Sequence, residues 1–369
     1  MTASAVRLAI VHDRLTVFGG AERLVLALQR IWPTADLFAS VVDDALVADA
    51  GFANVRTTYL QHLPAAGRLG RASLPLHPHA FGRLELDGYD AVISSSAFFA
   101  KCIRPPAGVP HLSICYTPPR FLWDFRDTHL TERSGRVERA AISLISPALR
   151  RADLRGARGV DQWITNSSYT ADAVARHYGE TAVVIAPPVD VEHYEPAVTR
   201  GGYLLAIARL DPYKRIDRAI EASAQLGIPL KVIGDGADAA RLRAISGREV
   251  ELLGWVEEAA KFELVRGALA LVAPQVEDFG IAMVEALAAG VPVVAPAAGG
   301  ALDIVESGRT GVLYDPEDPG ALVNAIRQVE QLDVVPEDLH AASLRFSEPA
   351  FANAMREVVD ATIARSPAR

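Results

Sequence analysis

Two carboxylates, Glu277 and Glu285, stand with seven residues between them in the stretch EDFGIAMVEALAA at 277–289. A carboxylate accepts hydrogen bonds from sugar or ribose hydroxyls. The apolar run LALVA at 269–273 reads as a buried strand, and Ile281, Val284, Leu287 and Ala288 follow helical spacing. Glu277 therefore falls at a strand-to-helix corner and Glu285 on the helix beyond it. The N–H groups of that helix's first turn favour anionic oxygens, so the corner suits a ligand carrying phosphates and hydroxyls. An ordinary first-turn acid followed by a solvated helix glutamate would read the same way.

A second constellation lies upstream in RLDPYK (209–214), where Arg209 ends a strand and Lys214 opens the next helix. Two cations across one turn can neutralise a diphosphate, arginine as a planar fork and lysine as a point charge. Lys214 could equally be a solvated surface charge. Composition weighs against that: of 37 basic residues only Lys101, Lys214, Lys231 and Lys261 are lysines, so arginine is this chain's default surface cation. Gly234-Asp235-Gly236 follows a strand and allows either close backbone approach to a ligand or a tight turn. Gly254-Trp255-Val256 also follows a strand; its backbone could bond a base edge and Trp255 could stack, or the indole could pack inward. His12 and Asp13 end the first strand, where they could be catalytic, orient a substrate hydroxyl, or simply satisfy each other's surroundings.

Positioning these side chains requires strands that end at one level. The first half reads as strands at 6–13, 36–40, 90–95, 111–116, 161–166 and 182–185, with a glycine pair, Gly19-Gly20, opening the first helix. The segment 60–83 is irregular, 132–158 is helical and arginine-rich, and Ser167-Ser168 caps a helix running to Tyr178. Pro187-Pro188 breaks the series, and 188–200 reads as a linker. Strands at 203–208, 229–233, 250–254, 269–273 and 291–295 then alternate with helices near 214–226, 237–245, 258–266, 281–289 and 318–331. That alternation predicts an α/β protein of two Rossmann-like domains with parallel sheets facing a cleft. The domains are expected at 1–188 and 189–347, with a C-terminal helix at 348–369 packing back on the first. Ligands of such sheets sit beyond the carboxyl ends of the strands. The candidates recur there: 13–20, 94–101 with Lys101, 116–120 with Tyr116 and Arg120, 209–214, 234–236 and 277–281.

Composition excludes several classes. A net charge of -8 argues against a nucleic-acid binder working by bulk electrostatics. The two cysteines, Cys102 and Cys115, imply a reducing compartment and no disulfide framework. No apolar run approaches membrane-spanning length and no signal-peptide pattern opens the chain, so a cytoplasmic protein is expected. No zinc spacing, HExxH or nucleophile elbow occurs, which leaves metal hydrolysis and serine acyl transfer unsupported. Arginines 133, 136, 139, 150, 151, 155 and 158, interleaved with Ile142, Leu144, Ile145 and Leu149, form either a solvated basic face or a contact for the anionic inner membrane surface.

Taken together, GGAERL (19–24), ICYTPPRFLWD (114–124), NSSYTADAVARHYG (166–179), APPVD (186–190), RLDPYKRID (209–217) and EDFGIAMVEALAAGVPVVAPAAGG (277–300) closely resemble family-4 retaining glycosyltransferases. The first half looks most like bacterial mannosyltransferases of polysaccharide and O-antigen assembly. The resemblance implies the GT-B fold, a nucleotide-sugar donor such as GDP-mannose in the second domain, and a lipid-linked or glycan acceptor in the first. It implies no metal and no cofactor. Arg209 and Lys214 would hold the diphosphate, Glu277 the transferred sugar and Glu285 the ribose. N–H groups near Phe279, Gly280 and Ile281 would face sugar and phosphate, and Gly19-Gly20 would approach the diphosphate. Tyr116 departs from the pattern, since many relatives carry histidine there, and tyrosine does not titrate near neutrality. A UDP- or ADP-sugar enzyme making a small glycoside or sugar phosphate, and a non-catalytic nucleotide-sugar binder, remain the rivals.

Overall fold

The computed structural model describes residues 6–63, 70–123, 136–196 and 201–366. The chain divides into two compact units, one of Met1–Pro187 with Phe351–Arg369, the other of Pro188–Ala350.

The first unit is built on seven parallel strands: β1 (Leu8–His12), β2 (Asp36–Ala39), β3 (Val55–Thr57), β4 (Ala91–Ser96), β5 (His111–Cys115), β6 (Gln162–Thr165) and β7 (Ala182–Val184). They lie in the order β3-β2-β1-β4-β5-β6-β7. Every residue of β1, β4 and β5 is buried, as a parallel sheet covered on both faces requires. The second unit has six parallel strands: β8 (Leu204–Ile207), β9 (Leu230–Ile233), β10 (Val250–Gly254), β11 (Ala270–Val272), β12 (Val293–Pro296) and β13 (Gly311–Tyr314). Their order is β10-β9-β8-β11-β12-β13. Both sheets are thus the doubly wound α/β type that the alternation of apolar runs predicts. In each, the chain adds two strands on one side of the central strand and then crosses to the other side. That reversal lies between β1 and β4 in the first sheet and between β8 and β11 in the second, and the loops leaving the two strands diverge there to open a crevice.

Several elements depart from the sequence reading. The first sheet gains the short strand β3 after a helix at Asp44–Ala50, and the second gains β13. The segment expected as a linker, in its described part, is packed onto the second unit. Val189, Val191 and Tyr194 are buried, and Val189 N–H donates to the Phe346 carbonyl at 2.9 Å. Apolar side chains at this spacing gain more from burial than a tether would leave them. The helix Glu348–Arg365 places Phe351, Met355 and Val359 in one core with Leu8, Ile10, Leu24 and Ile93 of the first unit. Each such side chain contributes roughly 1.5–3 kcal/mol when taken out of water.

Candidate functional site

β8 ends in the loop that carries Arg209, which leads through a short turn, Pro212–Lys214, into the helix Ile216–Leu226. The neighbouring strand seats this loop. Leu210 N–H donates to the Asp235 carbonyl at 2.9 Å, and Asp238 N–H donates to that of Leu210 at 2.8 Å. A Cβ on Gly234 would run into the Ala208 carbonyl, and one on Gly236 into that of Leu210. The close approach that these glycines allow is therefore to the chain's own backbone. Gly234 serves the Arg209 loop as its seat.

β11 leads to Gln275, Glu277 and Phe279-Gly280, and then to the helix Ile281–Ala288. Gly280 has φ +113, where a side chain is strained, and a Cβ there would strike Met283. Phe279 is buried edge-on against Phe346, with ring centroids 5.7 Å apart. Gly300 N–H holds the Glu277 carbonyl at 2.9 Å, and Gly299-Gly300 fit against the backbone of 277–279. No side chain caps the helix at Gly280; in its first turn the Met283 N–H donates to the Gly280 carbonyl at 3.0 Å, and Ile281 is partly exposed.

These two loops bring Lys214 and Glu277 together across the β8–β11 reversal. Lys214 Nζ donates to Glu277 Oε1 at 2.6 Å and Oε2 at 2.7 Å, and Gln275 Nε2 donates to Oε1 at 2.5 Å. The side chains are only 12% and 22% exposed, which strengthens the pair without sealing it. A phosphate approaching Lys214 competes with this bond, and a hydroxyl approaching Glu277 competes with its Lys214 and Gln275 donors. Arg209 stands at the rim, its side chain 64% exposed and its Nε bonded to Asp211 at 2.5 Å. Glu285 is buried, and Lys261 Nζ holds its Oε1 at 2.8 Å. Trp255 projects into solvent, 78% exposed, beside the half-buried Val256. The inward-packing alternative for this indole therefore does not hold.

The first unit uses its candidates differently. Asp13 accepts from the backbone N–H groups of Ala97, Phe98, Phe99 and Ala100 at 2.7 to 2.9 Å, so both oxygens are committed inside the protein. His12 Nδ1 lies 2.9 Å from Ser95 Oγ and Nε2 lies 3.4 Å from Glu22, whose other oxygen accepts from Gly19 N–H at 2.9 Å. Gly19 caps the helix Gly20–Ile31. The Tyr116 hydroxyl sits 2.8 Å from Ser95 Oγ and donates to the Ala21 carbonyl at 3.2 Å. Burial pushes its pKa far up, so it is a fixed neutral strut. Lys101 is fully buried; it bonds Asp153 at 2.6 Å and the Phe98 carbonyl at 2.7 Å. Burial disfavours the ammonium, but the Asp153 carboxylate together with the neighbouring Cys102 and Cys115 outweighs it and the pKa is raised. Asp13 and Lys101, expected as substrate-side groups, are thus internal braces, because each satisfies its charge on its own unit's backbone or buried acid. Arg120 lies half-buried in the turn after β5.

Sequence reasoning missed Lys261, Gln275, Gly299-Gly300 and Asp153. The scarcity of lysine was a signal for Lys261 and Lys101 as much as for Lys214. Among the described residues, no group of three His, Cys, Asp or Glu side chains could hold a metal ion.

Residues 195–343, which include both loops, match the family model described as glycosyl transferases group 1. Over 245 residues the chain is 29% identical to a D-inositol 3-phosphate glycosyltransferase of Geodermatophilus obscurus, covering 56% of this chain and 54% of that one. Over 181 residues it is 33% identical to a phosphatidyl-myo-inositol mannosyltransferase of Mycobacterium leprae, covering 44% and 48%. The matches thus span about half the length of these relatives. The fold is similar to that of Anabaena Alr3699/HepE, solved in complex with UDP: TM-score 0.70, 19% identity, covering 96% of this chain and 100% of that one. Its two parallel-sheet, Rossmann-like units have the GT-B architecture.

Proposed function

We propose that this protein is a retaining glycosyltransferase that moves a hexosyl group, mannose from GDP-mannose, to a lipid-linked or glycan acceptor in cell-surface polysaccharide synthesis. The observation that carries the reading is the meeting of Lys214 and Glu277 at the β8–β11 reversal, with Arg209 on the same loop as Lys214. Lys214 and Arg209 take the donor diphosphate, Glu277 the hydroxyls of the transferred sugar, Glu285 the ribose, and the Trp255-Val256 turn the base. The acceptor falls to the first unit. In the reaction the bond from the sugar's anomeric carbon to the diphosphate oxygen breaks, and the acceptor oxygen bonds that carbon on the same face. The acceptor's proton passes to the departing diphosphate. Lys214 and Arg209 stabilise the charge gathering there, the role for which preorganised cations matter most. This chemistry is metal-independent, and activity is expected to survive a chelator.

The mannosyltransferase relative supports mannose. The UDP complex of the structural neighbour favours a second reading, a UDP-sugar donor. A thermal-shift panel of GDP-, UDP- and ADP-sugars separates them, since a ligand of the folded state raises its melting temperature. GDP-mannose is expected to give the largest shift; a larger shift with a UDP-sugar overturns the GDP-mannose assignment, and no shift with any of them overturns the donor site. We place the enzyme in the cytoplasm, peripheral at the inner membrane face. Leu144, Arg151, Arg155 and Arg158 are exposed on or just beyond the helix Arg136–Ala157. Arg150 instead turns inward, its Nε donating to the Leu122 carbonyl at 2.6 Å. Arg133 lies outside the described residues. Co-sedimentation with anionic vesicles at low salt, and its loss when Arg151, Arg155 and Arg158 become Glu, tests the placement.

A further inference from the structure

Within the helix Ile281–Ala288, IAMVEALA, Glu285 is the one charged residue, and Met283, Val284, Ala286, Leu287 and Ala288 around it are buried. A carboxylate in such a setting needs a partner. Lys261, on the separate helix Glu258–Arg266, supplies it: Nζ lies 2.8 Å from Glu285 Oε1 and 2.7 Å from Glu258 Oε1. The Lys261 and Glu285 side chains are 12% and 9% exposed, whereas Glu258 is half in solvent at 51%. A pair this buried is a poor way to stabilise a core, because apolar residues of the same size would serve as well. It is also built from lysine in a chain that uses arginine almost everywhere else. A compact ammonium can give separate protons to two carboxylates arriving from different directions, which a planar guanidinium fork does poorly.

We propose that Lys261 is a positioning residue for the nucleoside ribose, acting through Glu285; the inference rests on the reading of Glu285 as the ribose ligand. By bonding Oε1, Lys261 stops the carboxylate from turning about its last bond and fixes the directions from which it can accept hydroxyl protons. The helix bearing Lys261 begins two residues after Val256, so the turn assigned to the base and the carboxylate assigned to the ribose share one mounting.

Calorimetry with GDP and UDP and their 2′-deoxy and 3′-deoxy forms tests this. The wild type is expected to lose roughly tenfold in affinity when the ribose hydroxyl bonded by Glu285 is removed. Glu285→Gln should abolish most of that discrimination. Lys261→Met should cut it to about threefold or less while leaving affinity for the deoxy nucleotide near the wild-type value, and adding Lys261→Met to Glu285→Gln should change the ratio no further. A role in packing alone would weaken the normal and deoxy nucleotides equally. Undiminished discrimination in Lys261→Met, or equal losses for both ligands, overturns the inference. Should that variant not fold, Lys261→Arg carries the test, with the discrimination at least halved as the expected result and the wild-type ratio as the overturning one. Undiminished discrimination in Glu285→Gln, or a wild type that binds neither nucleotide, instead overturns the ribose reading beneath it.

Discussion

At the reversal of the first sheet, between β1 and β4, Asp13 sends its two carboxylate oxygens to four successive backbone N–H groups, those of residues 97–100. At the reversal of the second, between β8 and β11, Lys214 and Glu277 face each other across the gap. The topology is the same and the chemistry is opposite. Four converging N–H groups form an anion site, and in the first unit the chain fills it with an anion of its own. In the second unit the charges belong to two flexible side chains, and either can be claimed by an outside group of suitable charge. A doubly wound sheet offers a crevice; what occupies it in the folded chain decides whether it binds or braces.

The largest effect is expected where the brace is removed. Asp13→Ala leaves four N–H groups without their acceptor and should destabilise the first unit by about 3–5 kcal/mol, read from urea unfolding. A loss below about 1 kcal/mol would show that this crevice tolerates vacancy as the second does, and the contrast would fail.

The second crevice should respond with opposite signs at its two poles. Lys214→Met should weaken a bare nucleoside diphosphate by ~1.5–3 kcal/mol, about 10- to 150-fold in Kd. Glu277→Gln removes the anion that competes for Lys214, so the same ligand should bind at least as tightly while turnover falls by a comparable factor. Calorimetry beside initial rates decides it, and matching losses of affinity in both variants would mean that the pair acts as one structural unit.

Acid should loosen the braced unit. His111 is buried at the start of β5, its Nδ1 2.9 Å from the Gly159 carbonyl and its Nε2 2.8 Å from Ser94 Oγ. Burial lowers its pKa from 6.5 to about 4. The unfolded chain takes up this proton first, so the contribution to stability is whole above pH 6.5 and is lost as pH falls toward 4. Between pH 7 and pH 5 the loss should be about 2 kcal/mol. His111→Asn should flatten that part of the profile; an unchanged slope would assign the acid sensitivity elsewhere.

The smallest effect is expected at the rim. Arg209→Ala should cost the donor complex about 1.5 kcal/mol, the low end for a charged contact, because this side chain is largely in solvent. A loss equal to that of Lys214→Met would place Arg209 inside the crevice rather than at its edge.

Much of the second sheet was legible because its strands are short apolar runs, LALVA and VPVVA among them, which only a sheet covered on both faces would bury. β13, GVLY, offers an apolar run of only three residues after its glycine, too short to stand out as LALVA and VPVVA do. Lys214 and Glu277 were each readable as ligand groups from local context, but their bond was not, since they lie 63 positions apart. Asp13 was misread for a deeper reason: its partners are backbone N–H groups, which no letter of the sequence records. Lys101 carried the same compositional signal as Lys214, yet only its partner Asp153, 52 positions along, turns that signal into a buried brace.

The helix Glu348–Arg365 has a consequence for the order in which the protein matures. Phe351, Met355 and Val359 complete the core of the first unit, yet they follow the whole second unit in the chain. A ribosome working at about 5–20 residues per second needs roughly 10–30 s to make residues 188–350. Throughout that interval the first unit carries an uncovered apolar face, while everything the second unit needs has emerged by its end. The unit made first is therefore the one finished last, and the nascent chain offers chaperones a defined surface for a defined time.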